Sequence, residues 1–117
     1  MKLRYMEKDN KVFLEHILES IEFIENYTGG LSENNFFSST EKQDSVIRRL
    51  EIIGEAARNL ADNFKTANTH IPWRDIADFR NVLIHEYFGV DKEKVWAVVK
   101  NDLPGLKKEL KVLVNLY

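Results

Sequence analysis

The stretch 80-RNVLIHEY-87 gathers an arginine, an asparagine, a histidine and a tyrosine, in a chain with three histidines in all. Histidine both takes and gives a proton near neutral pH. Arginine carries a permanent charge and a planar fork of donors that matches phosphate. Asparagine can orient a ring or donate a hydrogen bond of its own. Arg80, Asn81 and His85 would together suit cleavage of a phosphodiester without a metal. The imidazole helps a ribose 2′-hydroxyl attack the adjacent phosphorus, and the guanidinium stabilises charge gathering on the phosphoryl oxygens. Such chemistry requires RNA, because DNA lacks the attacking group.

At about 100° per residue, Asn81 and His85 share one face of a helix, with Asp78 on the same side. Arg80 and His85 are five apart, or about 140° around the axis, so they do not stack directly. Tyr87 is nearly in line with Arg80, about 10 Å further along. A solvated arginine and a structural histidine would produce the same Arg-x4-His spacing, so spacing alone leaves both readings open.

These residues have to be positioned by helices, because the apolar residues repeat at helical spacing nearly everywhere and alternation at period two is absent. A first helix is predicted over roughly 10–28, with Leu14, Ile17, Leu18, Ile21 and Ile24 as its stripe. Gly29 and Gly30 suit a left-handed C-terminal cap. A connector follows to Ser39, with one helical turn at Glu33 to Phe37. A second long helix is predicted from Thr40 to Phe64, opened by a Thr40/Gln43 capping box. Its seam is Val46, Leu50, Ile53, Ala57, Leu60 and Phe64. Gly54 costs about 1 kcal/mol against alanine in mid-helix. With Ala57 and Ala61 it offers a strip where another backbone can come close, within the bundle or between subunits. Pro72 suits the first turn of a third helix running to Tyr87, with Ile76, Phe79 and Leu83 buried. Gly89 and Asp91 mark a break and a new N-cap. A fourth helix covers Lys92 to Asn101, and Asp102 with Pro104 predicts a restart carrying Leu103, Leu106, Leu110 and Leu113. The sum is a single all-α domain over residues 1–117, an antiparallel bundle of four or five helices.

Composition narrows the function classes. Net charge is −2 and the pI about 5.9, whereas proteins that coat nucleic acid nonspecifically are strongly basic. Any dealings with RNA must therefore use a local patch. No apolar run is long enough to cross a bilayer, and the opening MKLRYMEKDN lacks the apolar core of a secretory signal. The absence of cysteine fits a reducing cytoplasm, the expected location. No two histidines have metal-ligand spacing, so neither a metal nor a cofactor is expected. His16 reads as a surface or half-buried residue and His70 as a loop residue. Arg48, Glu51, Glu55 and Arg58 have the spacing of an ion-pair ladder along one helix face, with an RNA-lining role for Arg48 or Arg49 as the alternative. Asp78 reads as solvated, and Trp73 and Trp96 as core or interface anchors.

The full pattern Arg80-x4-His85-x-Tyr87 resembles the R-x4-H-x-Y signature of HEPN-domain toxins of the HepT type. The stretches 43-QDSVIRRLEIIGEAARNL-60, 71-IPWRDIADFRNVLIHEYFGVD-91 and 95-VWAVVKNDLPGLKKEL-110 look like the same family. The resemblance implies a HEPN helical bundle and a metal-independent endoribonuclease acting as a homodimer, with both motifs lining a cleft between subunits. Arg80 and His85 would take the catalytic roles, and Asn81 would be the polar residue that follows the arginine. The implied partner is an MntA-type nucleotidyltransferase antitoxin, which would silence this type VII-like toxin by adding AMP to Tyr87. Two other readings use the same residues: a non-catalytic HEPN binding module, and an antitoxin partner of a toxic nucleotidyltransferase.

Overall fold

A computed structural model describes the backbone of residues 2–85 and 91–116, and the side chains of 9–83 and 91–116. The helix end at Tyr87 and the break at Gly89 expected from the sequence lie outside the described residues.

The first helix, α1, spans Lys2–Thr28. It begins well before the predicted residue 10 because Leu, Arg, Met, Glu and Lys in the opening segment are good helix formers, although they continue no apolar stripe. Leu14, Ile17, Ile21 and Ile24 are fully buried along it. The cap forms as expected. Gly29 N donates to Glu25 O at 2.8 Å, and Gly30 takes the left-handed conformation at φ 74°. A side chain there would be strained. The connector's single helical turn, α2, covers Glu33–Phe37, with Ser32 Oγ accepting from Asn35 N. It seats the buried Phe36 5.0 Å from the Trp96 ring.

The next helix, α3, runs over Thr40–Asn59. Its start corrects the capping box by one residue. Ser39, not Thr40, is the N-cap, accepting from Lys42 N at 3.2 Å. Gln43 turns away to donate from Nε2 to the carbonyls of Phe36 and Phe37, at 2.9 and 3.0 Å. It thereby satisfies the end of α2. The helix also stops short of Phe64. At Leu60 the backbone becomes extended (ψ 145°), and α4 covers Asp62–Ala67. The cause is distant in sequence: Asn10 Oδ1 on α1 accepts from Ala61 N at 3.1 Å, giving the broken turn a partner. All six predicted seam residues are nonetheless buried, because Phe64 folds back onto Trp73, with ring centroids 5.9 Å apart.

The helix that carries the signature, α5, spans Trp73–His85. Leu83 is buried, whereas Ile76 and Phe79 are half-buried and face a cleft. Asp91 caps α6, Lys92–Ala97, accepting from Glu93 N and Lys94 N as its position predicts. The expected restart at Pro104 is absent. The chain stays helical through a π turn over Val98–Asp102 into α7, Leu103–Leu116. Proline cannot donate to the carbonyl four residues back. Widening the turn before it, with Leu103 N bonded to Val98 O, accommodates that loss without ending the helix.

The packing order shows direction. Lys42 lies over the Tyr27 ring, Arg49 over the Phe23 ring, and Ala61 against Asn10, so α1 and α3 run antiparallel. Gly54 meets Arg80 and Phe64 meets Trp73, so α3 and α5 do too. Thus α3 lies between α1 and α5, and α7 packs on α1. Lys107 Nζ on α7 reaches Glu25 Oε1 at 2.7 Å, and this hydrogen bond raises the lysine pKa above its ordinary value.

A candidate active site on α5

Arg80 sits where α5 comes closest to α3. A Cβ built on Gly54 would fall 2.6 Å from Arg80 Cβ and 3.3 Å from Ile76 O, so any side chain at 54 would force the two helices apart. The glycine therefore serves the packing of this bundle, the first of the two roles its position left open. The close approach brings Arg80 within reach of the next residue of α3. Its Nε lies 3.1 Å from Glu55 Oε2, with the arginine side chain 29% and the glutamate 49% exposed. Asn59 Nδ2 holds the other carboxylate oxygen, Oε1, at 3.3 Å, and donates to Glu55 O at 2.8 Å. The row Asn59–Glu55–Arg80 thus sets a carboxylate beside the guanidinium, with Nε its nearest nitrogen.

An exposed or half-exposed ion pair contributes about 0–1 kcal/mol to stability. Glu55 therefore matters less for holding the fold than for the direction in which it turns the guanidinium. The carboxylate lies nearest Nε, and the edge formed by the two terminal nitrogens is the one that suits two oxygens of one phosphate.

Asn81 follows on the exposed side of α5, about 100° around from Arg80. The backbone of His85 is the last described residue of α5, but its side chain lies outside the described residues, as does Tyr87. Asp78 is exposed and, among the described residues, pairs with Arg74 at 3.9 Å. The ladder expected along α3 does not form among the described residues. Glu55 is drawn across to Arg80, while Arg49 stacks over the Phe23 ring, 4.0 Å from its centroid. His16 is exposed, and His70 Nε2 lies 3.2 Å from Glu109 Oε2. Trp73 is a core anchor, donating from Nε1 to Asn68 O at 3.0 Å, and Trp96 packs on Phe36 beneath Lys100.

Glu55 and Asn59 were not singled out by sequence for this role. A glutamate with arginines at three residues to one side and seven to the other reads as a same-helix partner, and only the α3–α5 contact reveals the other choice. The signal that was legible was Gly54 beside it, which marks a place of close approach.

A cleft of about 560 Å³ lies on the far flank of the α3–α5 seam, lined by apolar residues including Ile53, Phe79 and Leu106, with Asp75, Asp102 and Glu109 among its polar lining. Its carboxylates disfavour a phosphate. No described helix is long and apolar enough to cross a membrane.

Among the described residues the chain is an all-helical bundle whose α5, packed on α3, carries Arg80. A model of the family described as HepT-like ribonucleases matches residues 17–113, and the chain belongs to that family. A Thermococcus cleftensis protein named "Probable ribonuclease HepT" is 44% identical over 108 residues, covering 92% of this chain and 98% of that one. A Methanocaldococcus jannaschii protein named "Gamma-glutamylcyclotransferase and putative RNase" is 54% identical over 112 residues. That alignment takes in 95% of this chain but 50% of the relative, so the chain spans about half the length of that protein. No solved structure gives a significant match.

Proposed function

We propose that the protein is a metal-independent endoribonuclease, the toxin of a toxin–antitoxin pair, cutting RNA with Arg80 and His85 at a cleft between two copies of the chain. His85 takes the proton of a ribose 2′-hydroxyl as that oxygen attacks the neighbouring phosphorus. The bond from phosphorus to the 5′-oxygen breaks, and the departing oxygen takes up a proton. The products are a 2′,3′-cyclic phosphate and a 5′-hydroxyl. Arg80 binds the non-bridging oxygens as their charge grows, and Asn81 supports the site from the exposed face of the same helix. The observation that carries the reading is the span of the family match, which takes in the whole signature Arg80, His85 and Tyr87.

Regulation follows the same chemistry. A nucleotidyltransferase antitoxin transfers AMP from ATP to the Tyr87 hydroxyl, releasing pyrophosphate. The added phosphate, carried by the same signature as Arg80, competes for that arginine and obstructs RNA, which is how a charge-adding modification acts.

The test uses purified chain and RNA in the presence of a chelator. The parent is expected to cut, and Arg80→Ala and His85→Ala to lose cutting while helical circular dichroism is unchanged. Cutting by either alanine variant at the parent rate would remove that residue from the mechanism. Intact mass after co-expression with the nucleotidyltransferase should show one added AMP, which Tyr87→Phe abolishes.

A further inference from the structure

We infer that Glu55 is a positioning residue for RNA cleavage, acting through Arg80; the inference rests on the ribonuclease reading above. Three neighbouring features of α3 converge on this one arginine. Gly54 removes the side chain that would hold α5 away, since a Cβ there would meet Arg80 Cβ at 2.6 Å. Glu55 Oε2 forms an ion pair with Arg80 and lies 3.1 Å from its Nε. Asn59 steadies the carboxylate from behind through Oε1.

The choice of nitrogen is informative. A carboxylate that bound both terminal nitrogens would occupy the edge needed by phosphate. One that binds at Nε fixes the plane of the guanidinium and leaves the terminal pair for substrate. The pair is also open to solvent, where its own stabilisation is slight. Its value lies in holding the donor fork in place before RNA arrives, and that is where preorganised charge lowers a barrier. Glu55 touches no RNA in this scheme. It changes the rate of the bound complex rather than the affinity.

The proposal is tested with cleavage of one defined RNA, measured under single turnover at varied enzyme concentration. The variants are Glu55→Ala and Glu55→Gln, in the parent and in an Arg80→Lys background. Glu55→Ala is expected to lower the maximal rate about ten- to a hundredfold, the cost of a misplaced catalytic group, with the half-saturating concentration within about twofold. Glu55→Gln keeps a carbonyl oxygen for Nε and should recover most of the rate. Lysine has no Nε–H in that position, so in the Arg80→Lys background Glu55→Ala should cost less than about twofold more, the signature of residues acting as one unit. Parent-like cutting by Glu55→Ala overturns the proposal and leaves the ribonuclease reading standing. So does a loss confined to half-saturation, or an equal loss in the Arg80→Lys background, which would mark an independent or structural role. If the parent cuts no RNA, the ribonuclease reading fails and this proposal fails with it. Thermal unfolding of each variant separates misfolding from misplacement, and Glu55→Gln carries the test if Glu55→Ala unfolds.

Discussion

An arginine serving a phosphoryl transition state needs a permanent charge and a fixed plane, and the two needs are met by different parts of the side chain. At Arg80 the Glu55 carboxylate stands 3.1 Å from Nε, and in the proposed site the terminal fork is the part that meets substrate. Arg80→Lys keeps the charge and discards the fork and its support. We expect it to bind RNA about as well as the parent and to cut it about a hundredfold more slowly, the scale of a lost transition-state donor. Single-turnover rates on a defined RNA would check this, and a rate within about threefold of the parent would mean that charge alone suffices at this position. Arginine, asparagine and histidine could be picked out as candidates from residue type and spacing, because their chemistry is intrinsic. Glu55 could not, because a glutamate declares its function only through its partner, and here that partner belongs to another helix.

Elements follow the same division between local and distant causes. The turn at Gly29 and Gly30, the short α2, and the Asp91 cap were legible because each is decided by neighbours in sequence. The buried stripes of α1 and α3 were legible because burial follows the helical period. The break at Leu60 was not, since it depends on Asn10 from α1. Nor was the continuous path through Pro104, which a π turn allows. Gly54 falls between these cases: its cost was visible in sequence, but the helix it admits was not. Gly54→Ala should gain about 1 kcal/mol of helix propensity and lose about 1–3 kcal/mol to the collision with Arg80. The net expectation is a modest loss of stability with a larger loss of cleavage, because the misfit lies under Arg80, the arginine proposed to act on the phosphate. Urea unfolding and cleavage rates on the same variant would show it. A stabilised variant with parent activity would mean that α5 shifts freely and that close approach is not required.

For the whole molecule, the difficulty is convergence. Arg80 and His85 leave one helix about 140° apart, so a single copy of α5 aims them poorly at one phosphate. In the proposed dimer a two-fold partner would relieve this by setting the arginine of one subunit opposite the histidine of the other. The net charge of −2 fits such an arrangement, since specificity for RNA then comes from a local cleft and not from a broadly basic surface. The consequence can be measured by mixing. Arg80→Ala and His85→Ala proteins, each inactive alone, are allowed to exchange subunits. If each site draws its arginine and histidine from different subunits, every mixed dimer carries one intact site. Random exchange at equal concentrations makes half the dimers mixed, so activity should return to about a quarter of the parent's. Mass measurement in solution must show dimers throughout. Dimers that exchange subunits without regaining activity would place both groups of each site in the same chain, and the 140° between them would then have to be closed by a change in the helix itself.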